Sequence, residues 1–194
     1  MRVTGGRIGG RRIHAPRSMV RPTQDRVREA LFSSLAGRLP GARALDLFAG
    51  TGALGLESWS RGADAVTWVE KDRLAYEQLR KNVRALCGDE RAVHCVRRDV
   101  FRFLSTAAQD RKYDLVLADP PYERGLESQV PEKLLRILGS ESILRSTGLF
   151  ILEQDRGRSV LESPEWKLIR NRTYGRTRLL TYVRDPLAAG GARS

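Results

Sequence analysis

A chain of 194 residues with 41% hydrophobic and 30% charged side chains is long enough to bury one full core and too apolar to be disordered. Its net charge of +12 points to a polyanionic partner. The apolar runs are too short to span a bilayer, the N-terminus lacks a signal-peptide core, and Cys87, Cys95, His14 and His94 show no metal-ligand spacing, so a cytoplasmic protein with no membrane and no metal is expected.

The charge is uneven. Residues 1–38 carry nine Arg against Asp25 and Glu29, and residues 164–185 carry five Arg and Lys167 against Glu165 and Asp185. Both ends are therefore expected to meet nucleic acid. Residues 2–15 read as short strands broken by Gly5-Gly6 and Gly9-Gly10, a basic hairpin too glycine-rich for the core and suited to lie on phosphates. Thr23 is placed to cap a helix whose apolar stripe is Val27, Ala30, Leu31 and Leu35, ended by Gly37 and Pro40-Gly41. Strands and helices then alternate: strand 44–48, helix 53–60, strand 65–70, helix 73–86 with Ala75, Leu79, Val83 and Leu86 inward, strand 92–96, helix 100–107, strand 113–118, helix 131–138 with 127–130 as an extension, and strand 149–153. Segments 166–172 and 176–183 form an antiparallel pair turning at Tyr174-Gly175. This order predicts an α/β, doubly wound, mostly parallel sheet ending in an antiparallel hairpin, with a basic N-terminal β-hairpin arm. The predicted division is an arm over 1–20, an α/β domain over 21–185 and a tail over 186–194. Trp59, Trp68 and Trp166 are expected in the core or on a sheet face, and neither histidine has a catalytic duty.

Asp46-Leu47-Phe48-Ala49-Gly50-Thr51-Gly52-Ala53-Leu54-Gly55 joins the first strand to its helix. Gly50, Gly52 and Gly55 have the spacing of dinucleotide-binding loops, where missing side chains let backbone approach a ligand, and Glu70 ends the next strand where a carboxylate can take ribose hydroxyls. The loop alone leaves NAD and S-adenosylmethionine open. Asp46 ahead of the glycines favours a ligand bearing an ammonium over one bearing a pyrophosphate. Asp99, after the third strand, is placed either to accept from an adenine amine or to cap the helix at Val100.

The fourth predicted strand runs into Asp119-Pro120-Pro121-Tyr122. Two prolines lock φ and remove two N–H groups, so this backbone neither extends a sheet ladder nor starts an ordinary helical turn. A carboxylate, a free carbonyl and an aromatic ring are left together. They suit a planar group bearing an NH₂, with Asp119 and the Pro120 carbonyl accepting its hydrogens and Tyr122 stacking on its ring.

With the loop 46–55, Glu70, Asp99 and the Asp119–Tyr122 corner in this order, the chain resembles a Rossmann-like class I S-adenosylmethionine-dependent methyltransferase acting on an exocyclic amine. It is similar in particular to the bacterial small-subunit ribosomal RNA guanine-N2 methyltransferases of the RsmD type, through Gly5-Gly6, Gly9-Gly10-Arg11-Arg12, the stretch Arg21-Pro22-Thr23-Gln24-Asp25-Arg26-Val27-Arg28-Glu29-Ala30-Leu31-Phe32, the loop 46–57 and Tyr174-Gly175. The resemblance covers residues 2–183. It implies that Asp46, Phe48, Gly50 and Gly52 hold the methionine part of S-adenosylmethionine, Glu70 the ribose and Asp99 the adenine. Thr23 and Arg26 then border the cofactor and target pocket, and Asp119, Pro120 and Tyr122 hold the guanine, with Asp119 also facing the cofactor. Arg7, Arg11, Arg12, Arg21, Arg26 and Arg176 are the expected RNA contacts. The implied partner is small-subunit ribosomal RNA within an assembled or partly assembled particle, met by a monomer. Three readings compete: a DNA adenine-N6 methyltransferase with a similar amine clamp, a nicotinamide oxidoreductase using Gly50–Gly55, and a non-catalytic RNA-binding assembly factor.

Overall fold

The computed structural model describes residues 1–15, 24–88, 91–107, 112–121, 129–140 and 143–185. The chain divides into two compact units, Met1–Phe103 and Leu104–Ser194.

In the first unit the elements are α1 (Gln24–Ser34), a 3-10 turn (Ala36–Arg38), β1 (Arg43–Leu47), α2 (Ala53–Ser60), β2 (Ala65–Glu70), α3 (Arg73–Cys87) and β3 (Val93–Arg97), with α4 (Val100–Ala107) beginning at its end. β1 pairs in parallel with β2, and β2 with β3, with Ala44 opposite Val66 and Val66 opposite Val93. Parallel strands joined by helices lose solvent on both faces, so β1 and β2 are apolar almost throughout: Ala44, Leu45, Leu47, Val66, Trp68 and Val69 are all fully buried. Asp72 caps α3 by accepting from the Ala75 N–H at 2.8 Å. The buried stripe of α3 is Ala75, Leu79, Val83 and Cys87, joined by Asn82, while Leu86, expected inward, is only half-buried. On α1 the buried side chains include Val27, Leu31 and also Phe32 and Arg28. The capping site expected at Thr23 lies outside the described residues.

The N-terminal arm departs from expectation in two ways. Its strand character is a single antiparallel bridge, Arg2 with Arg12, flanked by the Val3 N–H to the Arg11 carbonyl at 3.0 Å and the Gly10 N–H to the Val3 carbonyl at 2.9 Å. And it does enter the core: Val3 and Ile13 are buried. The basic residues mask two apolar side chains placed to face inward across the bridge. The arm lies along α2, where Ser60 accepts the Arg7 N–H through its carbonyl at 2.7 Å and the Ile8 N–H through its hydroxyl at 3.1 Å. A Cβ on Gly6 would stand 2.1 Å from the Ser60 carbonyl oxygen, which is why the chain carries glycine there. Covered in this way, α2 is buried from Gly55 to Ser60 even though that stretch contains Glu57, Ser58 and Ser60.

The second unit holds β4 (Tyr113–Ala118), α5 (Val130–Ser140), β5 (Leu144–Asp155), β6 (Trp166–Tyr174) and β7 (Thr177–Arg184). β4 and β5 are parallel, β5 and β7 antiparallel, and β6 and β7 form the closing antiparallel pair. All seven strands belong to one mixed sheet. β5 starts five residues earlier than the apolar run 149–153 predicts, because Arg145, Ser146 and Thr147 are exposed and a hydrophobic pattern cannot reveal them as strand. Phe150, Trp166 and Tyr182 cluster with ring centroids 5.7 to 6.3 Å apart. The Trp166 indole N–H then donates to the Leu135 carbonyl at 2.9 Å and anchors α5 on the hairpin. The three tryptophans are buried, as the sequence predicts. Among the described residues no helix is long and apolar enough to cross a membrane.

Candidate active site

The loop after β1 is shaped by side chains from three other elements. Glu70, at the end of β2, accepts the Gly50 N–H on one carboxylate oxygen and the Asp72 N–H on the other, each at 2.8 Å. Asp46, inside β1, accepts the Gly55 N–H at 2.8 Å in the first turn of α2, where the helix dipole favours a negative group. The Trp68 indole N–H donates to the Gly52 carbonyl at 3.2 Å, and the Asn82 amide of α3 donates to the Thr51 carbonyl at 2.9 Å. The loop thus keeps one shape through contacts with residues 9 to 31 positions away.

The three glycines do not share one purpose. Gly50 has φ +54°, and a Cβ there would meet no atom within 4 Å; its missing side chain leaves open space for a ligand. A Cβ on Gly52 would stand 2.5 Å from Leu79, and one on Gly55 would stand 2.1 Å from the Trp68 indole nitrogen. These two glycines admit the protein's own side chains. Phe48 is the one non-glycine residue with positive φ among the described residues, at +59°, and its ring meets Phe101 edge-on at 6.5 Å.

Burial drives the electrostatics. Asp46 is 1% exposed, and desolvation pushes its carboxyl up to about 7, opposed by the Gly55 N–H and reinforced by the nearby Glu70 charge. Two buried carboxylates bearing on one short loop favour a cation beside it, and the ammonium of an amino-acid moiety fits that demand where a pyrophosphate does not. Asp99 is half-buried, and one of its oxygens accepts the N–H groups of Phe101 at 3.0 Å and Arg102 at 3.2 Å, so it caps α4. The capping alternative raised by the sequence is therefore realised; a carboxylate has capacity for a further donor.

In the second unit, β4 delivers Asp119 half-buried, Pro120 buried and Pro121 exposed at its C-terminal end. Tyr122, Thr23 and Arg21 lie outside the described residues. Of the expected RNA contacts, Arg11, Arg12 and Arg26 are exposed, Arg7 holds its guanidinium 4.0 Å above the Trp59 ring, and Arg176 is 87% exposed with a 3.4 Å contact to Asp155. Among the described residues no group of three His, Cys, Asp or Glu side chains could hold a metal ion.

Sequence reasoning missed the polar knot that fixes the arm. Glu57 is fully buried and accepts from the Thr4 N–H at 2.9 Å, the Thr4 hydroxyl, the Arg61 Nε–H at 2.8 Å and the Arg28 Nε–H at 3.4 Å. Arg28, itself buried, also donates to the Arg2 carbonyl and to Asp25 at 3.0 Å. The signal was present: a glutamate in the apolar helix Ala53–Ser60 and an arginine on the inner face of α1 need each other.

Two comparisons decide the family. The model described as conserved hypothetical protein 95 matches residues 1–183. The ribosomal RNA small subunit methyltransferase D of Escherichia coli strain K12 is 36% identical over 188 residues, covering 95% of this chain and 90% of that protein. The chain belongs to this methyltransferase family. The Haemophilus influenzae protein of the same name is 32% identical over 177 residues, covering 90% of this chain and 89% of its own length. Among solved structures, that of a candidate methyltransferase from Escherichia coli matches with TM-score 0.81 at 34% identity, covering 95% of this chain and 98% of its own. A hypothetical protein from Thermus thermophilus matches with TM-score 0.78 at 32% identity, covering 95% of this chain and 99% of its own. The resemblance read from the motifs is thus upheld, as is the class I fold.

Proposed function

We propose that this protein transfers a methyl group from S-adenosylmethionine to the exocyclic N2 of a guanine in small-subunit ribosomal RNA. The observation that carries this reading is the end of β4: a half-buried acid followed by a buried and an exposed proline, in a chain whose relatives are named ribosomal RNA small subunit methyltransferases. When bound, S-adenosylmethionine supplies a methyl carbon made electrophilic by its sulfonium. Asp46 and the Gly50 backbone would hold its amino-acid end, Glu70 its ribose and Asp99 its adenine.

The protein's own task is to prepare the amine. A guanine N2 lone pair is delocalised into the ring and is a poor nucleophile. Asp119 and the Pro120 carbonyl accept the two N2 hydrogens, which favours a pyramidal nitrogen with its lone pair directed away from the ring. The diproline backbone keeps both acceptors fixed, so their orientation costs little as charge develops on nitrogen. Asp119 also takes the released proton in this reading. Tyr122 supplies a stacking face for a base extruded from its loop. The arm, with Arg7, Arg11 and Arg12, contacts phosphates, and Arg21, Arg26 and Arg176 extend that contact. The reaction takes place in the cytoplasm, on an assembled or partly assembled particle, and one copy of the chain suffices.

Labelled S-adenosylmethionine offered with small ribosomal subunits, naked small-subunit RNA and duplex DNA tests the reading. Label is expected in the subunit RNA, as a base modified on guanine. Label in duplex DNA adenine, or binding of NAD in place of S-adenosylhomocysteine, would replace it with a competing function.

A further inference from the structure

Asn82 sits on the buried face of α3 and is 2% exposed. Its side chain uses every hydrogen-bonding position an amide has. The Oδ1 accepts the His14 N–H at 3.1 Å and a Gln78 side-chain N–H at 3.2 Å. The Nδ2 donates to the His14 carbonyl at 2.8 Å and to the Thr51 carbonyl at 2.9 Å. The amide therefore pairs with both main-chain groups of one arm residue, as a neighbouring strand would, while holding the middle of the glycine loop. Turning it over would set NH₂ against N–H and oxygen against carbonyl, so a single orientation is enforced. Aspartate at this position would lose both donors, and leucine would take its partner from the buried Thr51 carbonyl and from both main-chain groups of His14.

The other bonds that tie the arm to the rest of the chain run to Glu57 and Ser60 on α2, to Arg61 just after it and to Arg28 on α1. Those bonds dock the arm without touching the loop. Asn82 bonds to both, and a displacement of His14 is passed through one rigid planar group to Thr51.

We propose that Asn82 is a positioning residue that couples the arm to the glycine loop, so that RNA on the arm and an S-adenosyl ligand on the loop strengthen each other's binding. This rests on the functional reading above, in which the arm meets RNA and the loop meets cofactor. Coupling of this kind is reciprocal: whatever factor RNA confers on cofactor affinity, the cofactor confers on RNA affinity.

The test is the affinity of S-adenosylhomocysteine, measured by calorimetry with and without unmethylated small ribosomal subunits. Wild type, Asn82→Leu and His14→Pro are compared; the last removes one arm N–H and leaves Asn82 and the loop intact, and it carries the test should Asn82→Leu fail to fold. In wild type the particle raises affinity about five-fold or more. In either variant the ratio falls to within about two-fold of unity, whatever happens to thermal stability. A folded variant that keeps the wild-type ratio, or a wild type that binds both ligands with no ratio at all, overturns the coupling. A wild type that binds neither S-adenosylhomocysteine nor the particle removes the functional reading itself, and the coupling with it.

Discussion

After β1 the chain turns through Phe48–Gly52 under restraint from groups distant in sequence: Glu70 on the Gly50 N–H, Asn82 on the Thr51 carbonyl, Trp68 on the Gly52 carbonyl. After β4 the chain leaves Ala118 into Asp119 and two prolines whose rings fix the backbone themselves. Both segments follow a buried parallel strand, yet one is shaped by the fold and the other by its own covalent structure. The difference teaches where a substitution will be felt. On the proposed function, changes around the glycine loop should act first on folding and cofactor affinity, whereas changes at the diproline corner should act on the chemical step.

The sharpest way to break this comparison is Asp119→Ala. We expect transfer to fall about 10³-fold, in the range seen when one prearranged polar group is removed from a developing charge. Affinity for S-adenosylhomocysteine should stay within about two-fold. A parallel loss of cofactor affinity would make the corner as structural as the loop.

Next in size is Arg28→Ala. It leaves the fully buried Glu57 short of a cation and frees the Arg2 carbonyl, and breaking a buried pair in this way costs about 3–5 kcal/mol. Urea unfolding measures it. A change below about 1 kcal/mol would mean that Arg61 and Thr4 satisfy Glu57 alone.

A pair of glycine substitutions sharpens the contrast within the loop. Gly55→Ala drives a methyl into the Trp68 indole and should cost about 1–3 kcal/mol of stability. Gly50→Ala meets no atom and bears only the strain of positive φ, roughly 1 kcal/mol. Its larger effect should be on ligand affinity, because its open side faces the proposed ligand. Equal effects of the two on both readouts would erase the distinction.

The most gradual effect concerns pH. Folded Asp46 holds its proton up to about 7, while an unfolded Asp ionises near 3.9. The folded state binds more protons between these values, so stability of the free protein falls as pH rises from about 4 through 7, by at most about 1.4 kcal/mol for each pH unit between them. Asp46→Asn should remove that contribution to the slope in urea melts between pH 5 and pH 8. Binding of the ammonium-bearing S-adenosylhomocysteine should move oppositely and tighten as Asp46 ionises. A wild-type slope matched by the variant would place the titration elsewhere.

The same contrast governs what could be read from the sequence. The diproline corner, the alternation of β and α elements, and the glycine spacing of the loop are local signals, and the sequence carries them openly. The boundaries of β2, α2, α4 and β4 match expectation because apolar runs and caps define them. The pairings of Glu57 with Arg28 and Thr4 and the junction of Asn82 with His14 and Thr51 span 29 to 68 residues, which no periodicity expresses. Gly52 and Gly55 illustrate the opposite error: their spacing is legible, but it does not say that Leu79 and Trp68 fill the space they leave. The arm departs from expectation for a related reason, since Val3 and Ile13 are isolated among arginines and glycines and only the Arg2–Arg12 bridge beside them brings both inward.

The most direct test is nucleoside mapping of small-subunit RNA from cells lacking this protein, before and after incubation with S-adenosylmethionine and either wild type or Asp119→Ala. The account predicts one new N2-methylguanine with wild type and none with the variant. A methyl group on another base, or the same N2-methylguanine formed at undiminished rate by Asp119→Ala, would contradict it.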